Sequence, residues 1–188
     1  MRLGVLVSGR GSNLEAVLEA GVPVVLVISN RAGVRALEVA EGHGVPTMVL
    51  RRAAHGGDAE ARDGAIGQAL TDAGVTLALL AGYDQHLRPS YFATFAGRTI
   101  NIHPSLLPAH GGAGMMGLAI HASVLAAGDA ETGVTIHEVT PDLDGGPILA
   151  QERLAVVAGE TAEELSARVL EVEHRLLVRT VRRLLAGR

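Results

Sequence analysis

The sequence predicts an α/β fold: a mainly parallel central sheet with helices on both faces, closing with a C-terminal hairpin and helix. Three observations carry this reading. Short apolar runs alternate with segments of helical spacing along the chain. Residues 75–81 (VTLALLA) are apolar at nearly every position, as a strand buried on both faces requires. The 188 residues are 48% hydrophobic, which suits one domain with a single core.

Taken in order, residues 2–8 (RLGVLVS) predict a buried strand and 9–11 a loop. Residues 12–20 predict a helix in which Ser12 and Glu15 have capping-box spacing. A strand over 22–29, a helix over 31–41 and a strand over 45–50 follow, the last after the stop signals Gly42 and Gly44. Helical spacing covers 58–73, then come the strand at 75–81, a short helix at 89–95 and a strand at 98–103 that Pro104 stops. The glycine-rich stretch 108–117 (PAHGGAGMMG) is expected to be a mobile loop before a helix at 118–127. Strands at 132–139 and 148–157 flank the turn DLDGGP as a hairpin. The last helix runs from a cap at Thr161, with Glu164 completing the box, to residue 183. No internal repeat or interdomain linker interrupts 1–188.

Composition narrows the chemistry. A net charge of −4 lacks the basic footprint of a nucleic-acid binder, and two Tyr, two Phe and no Trp leave little for stacking on bases. There is no apolar run of bilayer length and no signal-peptide pattern, so a cytoplasmic protein with no membrane partner is expected. The chain has no Cys, which excludes disulfides, thiolate nucleophiles and Cys-based zinc sites. It also has no Lys, since all 16 basic residues are Arg. That excludes a lysine Schiff base and a complete Walker A loop.

Four places stand out. Ser8-Gly9-Arg10-Gly11-Ser12-Asn13 joins the first strand to the first helix, where free backbone N–H groups and the helix dipole favour a phosphate. A tight turn with Ser12 as a simple cap is the alternative. A dinucleotide fingerprint fits less well, because Leu14 stands where its third glycine belongs and Ser29-Asn30 offers no acid for a ribose. Asn101 and His103 lie two apart and share one strand face near its C-terminal end, where ligands of open α/β sheets bind. The competing reading is a hydrogen-bonded Asn and a satisfied His. Asp144, in DLDGGP, is first of all a turn residue. Glu173 flanks the apolar stripe of the last helix at i, i+4 from Val169 and Leu177, and in isolation reads as a solvated charge. His103, His110, His121 and His137 have no metal spacing, and no metal is assigned.

The strings SGRGSN (8–13), SNR (29–31), AGY (81–83), NIHPSLLP (101–108), TGVTIHEV (132–139) and LDGGPI (143–148) resemble, in this order, the folate-dependent phosphoribosylglycinamide formyltransferases. The resemblance covers nearly the whole chain and implies their Rossmann-like fold. It makes 1–100 the half that binds the phosphorylated substrate and 101–188 the catalytic and folate-binding half. It implies Asn101, His103 and Asp144 as the catalytic trio, with Asp144 holding a protonated His103. Gly11, Ser12 and Asn13 become the phosphate loop and Glu173 the ribose-contacting acid. Gln85, Leu87, Phe92, Val139, Thr140 and Asp142 become the pocket for 10-formyltetrahydrofolate. The chain departs from the family at Gln85, where many members carry a basic residue, at Leu170, and in a longer 111–117 loop. The resemblance implies a monomer or homodimer acting on small molecules. A formyltetrahydrofolate hydrolase or another formyltransferase could use the same trio, and a non-enzymatic nucleotide-binding module stands as the alternative from another class.

Overall fold

A computed structural model describes residues 1–187. Seven strands form one sheet in the order β3-β2-β1-β4-β5-β6-β7. β1 (Leu3–Val7), β2 (Val24–Ser29), β3 (Thr47–Val49), β4 (Leu77–Leu80) and β5 (Arg98–His103) run parallel. β6 (Glu131–Glu138) and β7 (Ile148–Ala155) form the expected antiparallel hairpin beyond β5. The order reverses between β1 and β4, so the loops after these strands flank the crevice in which such sheets bind ligands.

The alternation along each central strand builds two cores. Leu3, Val5, Val7, Leu77, Leu79, Ile100 and Ile102 meet α1 (Ser12–Glu19), α2 (Arg35–Gly42), α5 (Leu118–Ala127) and α6 (Ala162–Leu185). Leu6, Ala78 and Leu80 meet α3 (Ala59–Asp72) and α4 (Pro89–Thr94) on the other face. Gly4 belongs to this second face, and a Cβ there would lie 2.7 Å from Leu70 Cδ2, so its lack of a side chain lets α3 close on the sheet. α6 has the capping box of Thr161 and Glu164.

Some boundaries differ from the sequence reading. β3 is a short, partly exposed edge strand, with Met48 and Val49 at the surface, so little burial fixes its ends. α2 begins only at Arg35, because Gly33 turns the chain through φ 66 and Val34 is extended. A 3₁₀ turn at Arg52–His55, absent from the sequence reading, leads into α3.

Candidate active site

The loop after β1 is shaped by Gly11, which takes the N-cap position of α1 at φ 77. A Cβ at Gly11 would come within 2.7 Å of Ala36, and the same close approach lets Ala36 N–H donate to the Gly9 carbonyl at 3.1 Å. Ser12 therefore is not the cap. The expected Ser12–Glu15 box is absent, because a side-chain cap needs extended backbone at the N-cap and Gly11 is left-handed there. Glu15 instead pairs with Arg35 at 2.7 Å. No side chain caps the first turn of α1, and Gly11, Ser12 and Asn13 all line the main cavity.

Glu173 comes to this place from α6. It is 8% exposed rather than solvated, and one of its carboxylate oxygens accepts from Asn13 Nδ2 at 2.8 Å. Burial pushes its pKa up, offset only in part by the Asn13 bond and the nearby Arg10 charge. Asn13 Oδ1 is buried with no partner.

The loop after β4 forms the next wall. Asp84 N–H donates to Ser8 Oγ at 2.9 Å and ties the two loops together. Burial opposes ionisation of Asp84, but bonds from Asn30, Gln85 and Ser8, with the Arg31 charge, outweigh it and lower its pKa. Gln85 is held on both sides: Nε2 donates to Asp84 and Oε1 accepts from the buried Arg62 at 3.2 Å. Arg62 in turn pairs with buried Asp63 at 2.7 Å. Gln85, Leu87, Val139, Thr140 and Asp142 line the same cavity, of about 940 Å³. Phe92 is not on its wall; it packs into the second core, edge-on to Tyr91 at 5.2 Å, because α4 turns its side chain away from the opening. Tyr83, on the wall, has a buried hydroxyl without a partner.

Asn101, His103 and Asp144 all line this cavity. His103 is buried, and its Nε2 donates to the His110 carbonyl at 2.9 Å. Asp144 stands at φ 52 and accepts the Gly112 N–H at 2.8 Å. Asp144 forms no ion pair with His103, contrary to the expectation; its nearest imidazole is His137, 3.6 Å away. Each group is taken up by the 110–112 loop instead: His103 donates to the His110 carbonyl, and Asp144 accepts the Gly112 N–H. Asn101 Nδ2 lies 3.1 Å from His137 Nε2. His137 Nδ1 is 2.9 Å from the Glu138 carbonyl and must donate to it, which leaves Nε2 to accept from Asn101. A neutral ring fits, since burial lowers the His137 pKa more than the Glu138 bond and Asp144 raise it, and His103 lowers it further. The contact with Asp144 is thus not an ion pair in this state.

Sequence reasoning missed two residues. His137 lies inside the TGVTIHEV string and pairs with Asn101 across the β5–β6 register, a signal available once that pairing is drawn. His121, on α5, lines the cavity with its Nδ1 buried and unpartnered, and burial and His103 lower its pKa. Its only sequence test was for metal spacing. Among the described residues no group of three or more His, Asp or Glu is arranged to hold a metal.

The uncapped helix start, the buried acid and the amide, imidazole and carboxylate groups thus line one cavity at the switch point of an α/β sheet. The formyl transferase family model matches residues 1–181, and the chain belongs to that family. The phosphoribosylglycinamide formyltransferase of Escherichia coli is 37% identical, with 93% of this chain and 82% of that protein covered. The chicken trifunctional purine biosynthetic protein adenosine-3 is 40% identical over 93% of this chain, which spans only 17% of that protein's length. The crystal structure of glycinamide ribonucleotide transformylase 1 from Symbiobacterium toebii superposes with a TM-score of 0.92 at 38% identity, covering 100% of this chain and 89% of the other.

Proposed function

We propose that the protein transfers a formyl group from 10-formyltetrahydrofolate to the amine of 5-phosphoribosylglycinamide, a step of purine synthesis, in the cytoplasm. The observation that carries the reading is the single cavity that joins the open first turn of α1 to Asn101, His103 and Asp144. Its volume, near the top of the roughly 300–1,000 Å³ usual for one ligand, leaves room for two substrates end to end. The 1–100 half supplies the phosphate site, the 101–188 half supplies the reacting groups, and both contribute to the folate wall.

The α1 N–H groups, Ser12 and Asn13 hold the acceptor's phosphate, and Glu173 accepts from a ribose hydroxyl. Leu87 and Val139 give the donor's ring an apolar wall, with Gln85, Thr140, Asp142 and the free Tyr83 hydroxyl as polar partners. The donor supplies the formyl carbon and leaves as tetrahydrofolate. The acceptor's amine nitrogen attacks that carbon directly, and the carbonyl electron pair moves to oxygen. Asn101 and a protonated His103 stabilise this oxygen, each deletion of such a donor costing roughly 3–4 kcal/mol. Asp144 takes the proton of the attacking nitrogen and, through water, returns one to the leaving nitrogen. Neutral His137 fixes the amide of Asn101. Fixing both substrates in line supplies much of the remaining acceleration.

The test is consumption of 10-formyltetrahydrofolate with and without 5-phosphoribosylglycinamide. Turnover only with the amine is expected. Equal turnover without it would identify a formyltetrahydrofolate hydrolase.

A further inference from the structure

His110 is the one polar side chain in 109–117, and it stands at φ 54, a region that non-glycine residues seldom occupy. That backbone aims its carbonyl at His103, whose Nε2 must carry the shared proton because a carbonyl only accepts. Two residues on, Gly112 N–H bonds Asp144. Three consecutive residues therefore hold both His103 and Asp144. The segment is itself held by the His110 ring, bonded at both nitrogens: Nδ1 to Ser123 Oγ at 2.7 Å, and Nε2 to Asp129 Oδ2 at 2.6 Å. Ser123 is tied in turn to the Ile120 carbonyl at 2.8 Å. Ser123 lies on α5 and Asp129 just beyond it, and neither lines the cavity. The ring thus points away from the reacting groups while its backbone points at them. The rest of the loop is Gly, Ala and Met, with no side chain able to form a comparable anchor.

We infer that His110 is a positioning residue: its bonds to Ser123 and Asp129 fix the left-handed turn that sets the orientation of His103 and the place of Asp144. The inference rests on the proposed roles of His103 and Asp144. A loop of small residues needs one rigid point if two groups on either side of it are to keep reactive geometry, and a shift of about 1 Å can cost roughly a hundredfold in rate.

Three variants test it. His110→Gly keeps the left-handed backbone and its carbonyl but deletes the anchor. Asp129→Ala removes the acceptor from the far end, whereas Asp129→Asn keeps an oxygen for the His110 Nε2–H. Expected for His110→Gly and Asp129→Ala is a kcat about tenfold lower or less, with KM for both substrates within about twofold. Asp129→Asn should stay within about threefold of the parent. The ¹⁵N-detected ring signals of His103 report its Nε2–H hydrogen bond independently of turnover, and the bonded Nε2–H signal should be lost in the first two variants. Parent kcat in His110→Gly and Asp129→Ala overturns the inference, as does an unchanged His103 ring signal, even if melting temperature falls. If His110→Gly does not fold, the Asp129 pair decides alone. His103→Gln separates the two levels: full activity there sinks the proposed role of His103, and a large loss leaves the variants above to judge His110.

Discussion

The two ends of the cavity are built in different ways. At the α1 end, the candidate side chains sit on regular structure: Ser12 and Asn13 in the first turn of a helix and Glu173 in the middle of another, its carboxylate tied to Asn13 and both residues nearly buried. At the other end, Asn101 and His103 ride on β5, but their surroundings come from loops: Asp144 at φ 52, His110 at φ 54, and the Gly112 amide. The difference follows from the two tasks. A phosphate carries a fixed charge, and a helix start with its free N–H groups meets it without special side-chain geometry. At the other end Asn101 and His103 come from β5 and His137 from β6, while Asp144 comes from a turn and the 110–112 loop bonds both His103 and Asp144. Substitutions at the α1 end should therefore change KM for one substrate, and those at the loop end should change kcat.

The largest effect is expected at the loop end. Asn tolerates left-handed backbone about as well as Asp, and its carbonyl oxygen can still accept the Gly112 N–H. Asp144→Asn thus keeps the turn and removes only the charge and the proton-accepting capacity. A loss in kcat of at least about a hundredfold, roughly 2.7 kcal/mol, is expected, with little change in melting temperature. The Asp144 charge is one of the influences that raise the His137 pKa against burial, so His137 should titrate lower still in the variant. Steady-state kinetics, a melting curve and an NMR titration of His137 check this. Parent kcat with an unmoved His137 would leave Asp144 a turn residue only.

At the α1 end the effect is smaller and falls on one substrate. Ser12→Ala should raise KM for the phosphoribosyl acceptor about tenfold, as for one hydrogen bond to a charged group, without shifting the melting temperature, since Ser12 caps nothing. Asn13→Ala should do the same and also destabilise the fold, because it leaves the buried Glu173 carboxylate without its partner. KM for the folate should stay within about twofold in both. Equal changes in both substrates' KM would break the division between the two ends.

How much was legible before the structure follows the same division. That helices cover both faces of the sheet is readable because the run of apolar residues at Leu3, Val5 and Val7 beside Gly4 and Leu6 reflects two covered faces. The shared face of Asn101 and His103 follows from the period of two. Ser12 was misread because capping-box spacing says nothing about the backbone of the residue before it, and Gly11 at φ 77 decides the matter. Glu173 was misread because periodicity puts it at the edge of a stripe, while its burial depends on Asn13, 160 residues away in sequence. Phe92 and His137 show the same limit: which wall a side chain meets is settled by the packing of α4 and the β5–β6 register.

The smallest effect tests the α1 end through its one buried acid. Burial raises the Glu173 pKa, so the folded protein favours the protonated carboxyl over the ionised one. The stability linked to this group is then complete below its unfolded value near 4.5 and is lost as pH rises through the higher folded value. Glu173→Gln is neutral at every pH, and its amide oxygen can still accept from Asn13 Nδ2. At pH 4 the variant and the parent should melt together. As pH rises through the folded value the parent takes on a buried charge and the variant does not, so the variant should gain in melting temperature relative to the parent over that rise. Its KM for the phosphoribosyl acceptor should rise about fivefold, because the ribose loses a charged acceptor, while KM for the folate holds. A variant that is more stable yet binds its acceptor less well is what a buried charge kept for a ligand produces. A variant that loses melting temperature relative to the parent as pH rises would instead make the Glu173 charge a stabilising partner of Asn13 and Arg10, and would remove the reason to assign it to the ribose.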